Sequence, residues 1–319
     1  MKPHLLVTND ISGEFVGLLD EAYILHFLVR ADDRDAFLNQ VAPDVQGVVT
    51  SGSAGVDGAV IRALPHLEII CCMSAGYEKV DVAAARERSI EVTHGVGINA
   101  TSVADNAICL LLAVVRNLVP AIAHVRQGGW PEKGRPPATP TITEKRLGIL
   151  GLGAIGLEVA RRAAGFGMEI SYHNRRPRTD VPYRYCPTLA ELAEGADYLV
   201  VSCPGGAETF HMVNGEIFAA LGPQGVVINV ARGPIVHTGE LVAALQARAI
   251  AGAGLDLVED EPDLLKKLLA MDNVLITPHI SAPTVESQIV MATQLRANLD
   301  AHFSGRPVLT PIAGAPDHG

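Results

Sequence analysis

Three glycines in the middle of the chain, Gly151, Gly153 and Gly156, stand in the spacing GxGxxG. They follow the apolar run RLGIL and precede the helix-like run LEVARRAAG. This order of strand, glycine turn and helix is the context that a dinucleotide-binding turn requires. Gly151 permits the tight turn, Gly153 lets the backbone approach a pyrophosphate, and Gly156 lets helix and strand pack closely, while free N–H groups at the helix start bind the anion. The predicted cofactor site takes in the whole turn: Gly151, Leu152, Gly153, Ala154, Ile155 and Gly156.

The end of the next strand predicts which dinucleotide binds. An NAD site places an acidic residue about 20 positions after the glycines, where it accepts a hydrogen bond from the ribose. This chain has no acid between Glu169 and Asp180; Asn174 stands at that position and is followed by Arg175 and Arg176. Guanidinium groups form charge-assisted pairs with a 2′-phosphate, so we expect NADP(H), with NADPH preferred over NADH. The alternative is a basic loop that is only solvated.

Polar groups follow three strand-like runs in the same half of the chain. Arg232 follows VVINV, Glu261 comes shortly after AGAGLDL, and His279 follows NVLIT. Ligands of an open parallel sheet bind beyond the carboxyl ends of its strands, so we expect these side chains at one rim beside a nicotinamide. A fixed cation, a carboxylate and an imidazole are the set that hydride transfer to a carbonyl requires. The other strand-end residues assigned to the cofactor are Cys203, Pro204, Val230, Ala231 and Asp256.

Four motifs, GLGAIG, VARGP, GLDLVEDEP and TPHIS, occur in this order along the chain. Together they resemble the D-2-hydroxyacid dehydrogenase family, and the resemblance covers nearly the whole chain. HNRR at the strand end and the closing FSGRPVLTP resemble the NADP-preferring hydroxypyruvate, glyoxylate and hydroxyphenylpyruvate reductases of that family. The resemblance implies an oxidoreductase that reduces 2-oxo acids to D-2-hydroxy acids.

The resemblance also implies a role for each polar residue. Arg232 pairs with the substrate carboxylate and polarises the keto oxygen, and His279 donates the proton to that oxygen. Glu261 hydrogen-bonds the imidazole, fixes its orientation and favours its protonated form. Asp256 holds the nicotinamide carboxamide.

The N-terminal half is expected to supply further substrate contacts. The segment after EIICCM resembles the carboxylate-binding loop of the family, in which the backbone N–H groups of Ala75 and Gly76 face the substrate. Ser53, after the run GVVT, is a further candidate, and an ordinary turn serine is its alternative. Family members are commonly dimers through the segment before the glycine turn, so a homodimer is expected. Trp130 in that arm is a candidate to reach the neighbouring subunit's site, or only to pack at the interface.

The elements that position these residues are strand-like runs that alternate with helix-like runs. This alternation is typical of parallel βα units. We expect an α/β fold with two doubly wound parallel-sheet domains, a Rossmann cofactor domain and a smaller flavodoxin-like substrate domain. By resemblance the substrate domain is discontinuous, residues 1–99 with 284–319, and the NADP-binding domain spans residues 100–283. The cleft between them is expected to close by a hinge near Asn99 and Ser281.

Two long helices are predicted. One begins near Ser102, where Ser102-x-x-Asp105 resembles a capping box, and runs to about Leu118. The Gly- and Pro-rich segment after it, residues 128–140, is expected to be irregular. The other helix runs from Val285 to Phe303, with one apolar stripe facing a core.

Composition narrows the classes of partner. With 35 acidic and 25 basic residues the net charge is −10, so we expect no binding to nucleic acid or to an anionic membrane. The longest apolar run has nine residues, about half of what a bilayer requires, and the start MKPHLLVTND has too short an apolar stretch for a signal peptide. Five cysteines without CxxC or metal-ligand spacing fit a reducing compartment. We therefore expect a cytoplasmic protein without a bound metal.

The leading hypothesis is an NADPH-dependent reductase of glyoxylate and hydroxypyruvate. Hydroxyphenylpyruvate, phenylpyruvate or 2-ketogluconate reduction are alternatives within the class, because sequence does not place the few residues that set pocket size. A dinucleotide-sensing, corepressor-like binding protein is the alternative from another class.

Overall fold

A computed structural model of the chain describes residues 2–130 and 134–312. The chain divides into two compact units: unit 1 comprises Met1–Asn99 and Thr284–Gly319, and unit 2 comprises Ala100–Pro283. Residues 131–133 of the Gly- and Pro-rich segment and residues 313–319 of the expected substrate domain lie outside the described residues.

Unit 1 is built on a parallel sheet of five strands in the order β2-β1-β3-β4-β5, which is the flavodoxin-like order. Its first four helices each begin after a residue whose side chain accepts a first-turn N–H group, namely Ser12, Asp33, Asp57 and Asp81. These caps satisfy donors that helix geometry leaves without a partner. The elements are β1 (His4–Val7), α1 (Gly13–Asp20), β2 (Ile24–Phe27), α2 (Arg34–Val41), β3 (Val45–Thr50), α3 (Gly58–Ala63), β4 (Ile69–Cys72), α4 (Val82–Glu87) and β5 (Glu91–Thr93).

Unit 2 contains a parallel sheet of seven strands in the order β12-β11-β10-β9-β6-β7-β8. Strands β9, β10 and β11 are buried along their whole length, as expected for a sheet covered on both faces. The elements are α5 (Ala100–Val115), α6 (Leu118–Arg126), β6 (Arg146–Leu150), α7 (Ala154–Ala164), β7 (Glu169–His173), β8 (Arg184–Tyr185), α8 (Leu189–Glu194), β9 (Tyr198–Val201), α9 (Gly215–Leu221), β10 (Val226–Asn229), α10 (Thr238–Gln246), β11 (Gly252–Leu255), α11 (Pro262–Leu269) and β12 (Val274–Ile276). The last helix, α12 (Val285–Phe303), belongs to unit 1.

Chain order reverses between β6 and β9, which pair side by side although two strands separate them in sequence. Such a reversal is the point where doubly wound sheets bind ligands, at the carboxyl ends of the strands. The predicted fold class, two doubly wound parallel sheets of Rossmann and flavodoxin-like order, is confirmed.

The long helix of unit 2 differs from the prediction. It begins at Ala100, so Ser102 lies inside its first turn and donates a hydrogen bond to the carbonyl of Ala282 at 3.2 Å rather than capping the helix. It ends at Val115, because Asn117 adopts a left-handed conformation with φ of 49°. The helix α6 that follows was not predicted.

Among the described helices, none is by itself long and apolar enough to span a bilayer. Only α5 and α6 taken together, with a bend of 62° between them, reach that length and composition. Most residues of α5 are buried in the core of unit 2.

The bounds of α12 match the prediction, but its apolar stripe is only half buried. Leu295 and Leu299 pack in the core beside Phe15 and Leu19. Val285 and Ile289, in the first turns, are 72% and 57% exposed. Spacing alone predicts one continuous buried face, and it does not show where the core underneath ends.

Candidate active site

The glycine turn after β6 has the backbone geometry that its sequence predicts. Gly151 has φ of +94°, and a Cβ there would lie 2.5 Å from the Cα of Cys203. A Cβ on Gly156 would lie 2.4 Å from the carbonyl oxygen of Gly151, so helix α7 packs tightly on the turn. Beside Gly153 nothing lies within 4 Å of the Cβ position. The turn is therefore tightly packed on the side that faces the protein. It is open at Gly153, where a ligand needs to approach the backbone closely.

Helix α7 presents its N-terminus at this turn. Gly153 is the N-cap residue and supplies no side-chain cap. The first-turn N–H groups, which helix geometry leaves without intrahelical partners, then point outward together with the positive end of the helix dipole. This is an anion site of the kind that holds a pyrophosphate, and the residues present fit a dinucleotide.

The strand end that predicts NADP lies against the same turn. The Asn174 side chain accepts a hydrogen bond from the N–H of Leu152 at 2.7 Å. Arg175 and Arg176 are exposed. Arg178 differs from them, because it donates to the carbonyl of Leu152 and pairs with Asp180. The segment where an NAD site would carry an acid therefore has the exposed guanidinium groups of Arg175 and Arg176, and Arg178, whose side chain is held by protein contacts.

Glu208 is an acidic neighbour of this basic segment that sequence reasoning missed. Its carboxylate lies 3.2 Å from the guanidinium of Arg175, and the two side chains are 76% and 88% exposed. An ion pair this exposed contributes about 0–1 kcal/mol. Arg175 therefore remains available to a more highly charged ligand.

The residues after β9 form the other wall of the turn. The hydroxyl of Ser202 donates to the carbonyl of Gly151 at 2.9 Å, and Pro204 accepts from the hydroxyl of Thr209 at 2.9 Å. Cys203 is buried, and burial raises the pKa of its thiol to about 11. Cys203 is therefore a neutral packing group beside Gly151.

Arg232 follows β10 through the loop residues Val230 and Ala231, which are both buried. Its guanidinium donates to the carbonyl of Ala231 at 2.7 Å, and its stem covers Gly205, where a Cβ would lie 2.8 Å from the Arg232 Cγ. The side chain is thereby directed along the carboxyl edge of the sheet, next to the loop that follows β9.

Asn229, fully buried at the end of β10, hydrogen-bonds several backbone groups at the carboxyl edge of the sheet. Its amide donates to the carbonyls of Arg232 at 3.0 Å and Leu257 at 3.1 Å, and its carbonyl oxygen accepts from the N–H of Ala231. One side chain thus joins the loops after β10 and β11. Sequence reasoning did not assign it, although a polar residue inside the apolar run VVINV is the signal that marks it.

His279 follows β12 in a strained conformation, with φ of +56°. A positive φ is uncommon for a residue other than glycine and persists only where the surroundings impose it. Here Asp256, 2% exposed, imposes it. Its carboxylate accepts hydrogen bonds from the hydroxyl of Thr277 at 2.5 Å and from the N–H groups of Ile280 and Ser281 at 3.0 Å each.

Glu261 is the N-cap residue of α11 and is exposed, as is His279. Among the described residues, no hydrogen bond joins the Glu261 carboxylate to the His279 imidazole, so the expected bond is not formed in this structure. Both side chains face solvent, where water competes for their hydrogen bonds.

The sheet order brings the unit 2 residues to one edge. Strands β12, β11 and β10 are neighbours, and Arg232, Asp256 and His279 stand at or after their carboxyl ends. The glycine turn and Cys203 follow β6 and β9, the next strands in the same sheet. A cation, an imidazole and an anion-binding turn therefore share the edge where ligands of such sheets bind.

In unit 1, the loop after β4 is held rigidly while two of its amides are left free. Ser74 accepts from the N–H of Gly52 at 2.7 Å and donates to the carbonyl of Gly76 at 2.8 Å. His94 Nδ1 lies 2.8 Å from the carbonyl oxygen of Ala75. Within the described part of the chain, the N–H groups of Ala75 and Gly76 donate to no partner. Fixed, unpaired amides suit a carboxylate.

The loop after β3 lies directly against this segment. A Cβ on Gly52 would lie 2.3 Å from the carbonyl oxygen of Gly76. Ser53 is exposed, and its hydroxyl lies 3.1 Å from that of Ser51. The sequence pattern did not single out Ser74 and His94, because their contacts arise only when neighbouring strand ends are brought together.

Comparison with known proteins gives the family. The family model for the D-isomer specific 2-hydroxyacid dehydrogenase, NAD binding domain, matches residues 108–281 of this chain. A hydroxyphenylpyruvate reductase of Plectranthus scutellarioides is 43% identical over 92% of this chain and 94% of its own length. A glyoxylate/hydroxypyruvate reductase A of Arabidopsis thaliana is 40% identical over 97% of this chain and 98% of its own length.

A solved structure agrees with these relatives. An NADPH-dependent glyoxylate/hydroxypyruvate reductase from Sinorhizobium meliloti, in complex with NADP and malonate, superposes with a TM-score of 0.89 at 37% identity, covering 99% of this chain and 98% of that chain. The predicted family is confirmed. This chain is an oxidoreductase that belongs to the D-isomer specific 2-hydroxyacid dehydrogenase family.

Proposed function

We propose that this enzyme reduces small 2-oxo acids, in the first place glyoxylate and hydroxypyruvate, with NADPH as the hydride donor. The observation that carries the proposal is the common edge of the unit 2 sheet, which holds Arg232, Asp256 and His279 together with the open glycine turn. The experiment is a panel of 2-oxo acids in which consumption of NADPH and NADH is followed.

The polar residues divide the tasks of this reaction among them. NADPH, when bound, supplies the hydride that reduces the carbonyl carbon. Arg232 pairs with the substrate carboxylate and stabilises the negative charge that develops on the keto oxygen. His279 donates a proton to that oxygen, and Glu261 accepts a hydrogen bond from the imidazole in the ternary complex. Catalytic hydrogen bonds of this kind are often long without substrate and tighten when it binds.

Asp256 acts on both the catalytic loop and the cofactor. Its three hydrogen bonds from the segment 277–281 fix the backbone that carries His279. An ionised carboxylate has about four acceptor positions, which leaves capacity for the nicotinamide carboxamide. We assign both roles to it.

Unit 1 is assigned to the substrate, and the unpaired N–H groups of Ala75 and Gly76 carry that assignment. Backbone amides at a close-approach glycine are suited to a small carboxylate, because no side chain stands between them and the anion. Ser53 is assigned to the same substrate site through its exposed hydroxyl.

NADPH is preferred over NADH through Arg175 and Arg176. We expect Arg175→Ala to raise the KM for NADPH about 10-fold or more, because a charge-assisted hydrogen bond to the 2′-phosphate is worth about 1.5–3 kcal/mol. The KM for NADH stays the same, since that nucleotide has no 2′-phosphate. Steady-state kinetics with both nucleotides measures the change.

Arg184→Ala is the matched control for this prediction, because Arg184 is an exposed arginine on a neighbouring strand of the same sheet. It should leave both KM values unchanged. A wild-type enzyme that prefers NADH, or equal KM increases for the two nucleotides in Arg175→Ala, contradicts the assignment.

Hydroxyphenylpyruvate is the second candidate substrate, and the 43% identity to the Plectranthus scutellarioides enzyme favours it. The ratio of kcat/KM for hydroxyphenylpyruvate and hydroxypyruvate separates the two candidates. The aromatic substrate needs a pocket for a phenol ring, whereas the small one needs only the carboxylate and carbonyl contacts.

The enzyme is further proposed to be a homodimer through the arm that precedes the glycine turn. Helix α6 exposes an apolar face formed by Leu118, Val119, Ile122 and Val125, which are 42–52% exposed. Trp130, 58% exposed, continues the same arm. We expect light scattering to give twice the chain mass of 33.6 kDa and Ile122→Glu to give the monomer. A monomeric wild type contradicts this.

We propose a reducing, cytoplasmic location. All five cysteines are free, and Cys109 is exposed on α5. An exposed free thiol persists where the surroundings are reducing.

A further inference from the structure

We propose that Glu259 is the residue that positions Glu261, and that His211 and the start of helix α10 hold Glu259 in place. The inference rests on the proposed function, because Glu261 acts there through His279. Neither Glu259 nor His211 has a part in the mechanism described above.

The Glu259 carboxylate is held from two sides, and its side chain is only 10% exposed. His211 Nε2 lies 2.6 Å from one carboxylate oxygen, and the backbone N–H of Thr238 donates to the other at 2.9 Å. Thr238 is the first residue of α10, whose N-cap residue His237 makes no side-chain cap. Glu259 therefore caps α10 from a different loop, where a negative charge at the helix N-terminus is favourable.

The charge of Glu259 is maintained by these contacts. Burial raises the pKa of its carboxyl group. Hydrogen bonds from His211 and Thr238 and the charge of His211 lower the pKa, and together they outweigh burial, so the pKa lies below its usual value. The other titratable groups around this contact are His237, which stacks on His211, and Glu240, which lies 3.4 Å from His237. At neutral pH the Glu259 carboxylate is therefore ionised and accepts a hydrogen bond from His211.

A backbone hydrogen bond joins Glu261 to the fixed residue Glu259. The N–H of Glu261 donates to the carbonyl of Glu259 at 2.9 Å. The preceding residue, Val258, presses against the loop that carries Arg232, since a Cβ on Gly233 would lie 2.2 Å from the Val258 carbonyl oxygen. The segment 257–261 is thus fastened by its Glu259 side chain, by its backbone and by Asn229.

The three side chains His211, His237 and Glu259 are also of metal-ligand type, with donor atoms within 4.8 Å of one another. The two imidazole rings, however, lie face to face, with centroids 4.2 Å apart and 24° between their planes. In-plane nitrogen lone pairs of nearly parallel rings run side by side and do not converge on one ion. The geometry supports hydrogen bonding as the role of this cluster.

Three variants test the proposal. Glu259→Ala removes both carboxylate contacts, and we expect kcat to fall about 10- to 100-fold, which is the effect of a displacement of about 1 Å in a catalytic group. The KM for NADPH should change less than twofold. Glu259→Gln offers an acceptor to Thr238 and a donor to an unprotonated His211 nitrogen, so it should recover most of kcat. His211→Asn tolerates the positive φ of 51° at position 211 but removes the imidazole that contacts Glu259, and should show a smaller loss of the same kind.

Asp260→Asn is the matched control. It removes the same charge one residue away, from an exposed side chain without a hydrogen bond to any described residue, and should leave kcat unchanged. Amide hydrogen exchange of peptides covering residues 257–265 gives a readout independent of activity. We expect faster exchange in Glu259→Ala and His211→Asn, and wild-type exchange in Asp260→Asn.

The outcomes separate this inference from the proposed function. If Glu259→Ala and His211→Asn both retain wild-type kcat and wild-type exchange in this segment, the positioning role is wrong. Equal losses of kcat in Glu259→Ala and Asp260→Asn also overturn it, because charge alone would then explain the effect. A wild type inactive on every 2-oxo acid counts against the proposed function only, since the exchange experiment still tests the contact.

Discussion

We expect the replacement of His279 by asparagine to lower kcat by roughly 10²–10⁴-fold, the usual contribution of a general acid, and to leave the affinity for NADPH unchanged. Asparagine cannot donate a full proton to the keto oxygen. It is nevertheless the best replacement, because it tolerates the positive φ of position 279 far better than alanine does. The measurement is steady-state kcat with glyoxylate, together with NADPH binding by fluorescence titration.

His66→Asn is the control for this prediction, since His66 is an exposed histidine of unit 1 with no assigned role. Its kcat should equal that of the wild type. A His279→Asn enzyme that keeps kcat within a factor of three, while still binding NADPH, would falsify the general-acid assignment.

Replacing Arg232 by alanine is expected to have the second large effect. We expect kcat/KM for glyoxylate to fall about 10³-fold, because the substrate loses both the partner of its carboxylate and a donor to the developing oxyanion, and one such donor alone is worth about 10²–10³. Arg232→Lys should recover only part of this loss, since an ammonium group lacks the planar fork that matches a carboxylate. Comparison of kcat/KM for pyruvate and methyl pyruvate isolates the carboxylate contribution.

The ester provides the internal control. Its reduction, slow in the wild type because its carboxylate is masked, should fall less than that of pyruvate in Arg232→Ala, because the ester loses only the donor to the developing oxyanion. Arg306→Ala, which changes an exposed arginine in unit 1, should alter neither rate. Equal proportional losses for acid and ester would show that Arg232 does not recognise the carboxylate.

The residues that sequence predicted best are those whose backbone position is dictated by a local motif. Gly156 is required by its contact with the carbonyl of Gly151, within one strand-turn-helix unit, and such a contact depends only on neighbours in sequence. Gly151 is required locally by its positive φ, whereas its close contact with Cys203 comes from the loop after β9. The doubly wound architecture could also be predicted, because right-handed βα connections limit the topologies available. Arg232 and His279 were placed at one edge because each follows a strand of the same parallel sheet.

The residues that sequence did not predict act across strand ends. Asn229 donates to the carbonyl of Leu257, 28 residues further along the chain, and Glu259 contacts His211 and the start of α10. The Asp256 carboxylate is occupied by the His279 loop, a task that its position alone does not indicate. Ser102 shows the converse case, because a local capping pattern gave way to a contact with Ala282.

The helix boundaries before the glycine turn were missed for a related reason. Asn117 breaks the long helix by a left-handed turn, and the prediction did not use Pro120, three residues further on, which is a signal of a helix end. Helix α6 then exposes apolar side chains, which a pattern search for a buried stripe does not distinguish from core residues.

The most direct measurement is nucleotide oxidation by the purified enzyme with glyoxylate, hydroxypyruvate, hydroxyphenylpyruvate and 2-ketogluconate, each with NADPH and with NADH. We predict the highest kcat/KM for glyoxylate or hydroxypyruvate with NADPH, with D-glycerate formed from hydroxypyruvate. Absence of oxidation of either nucleotide with all four acids contradicts the account.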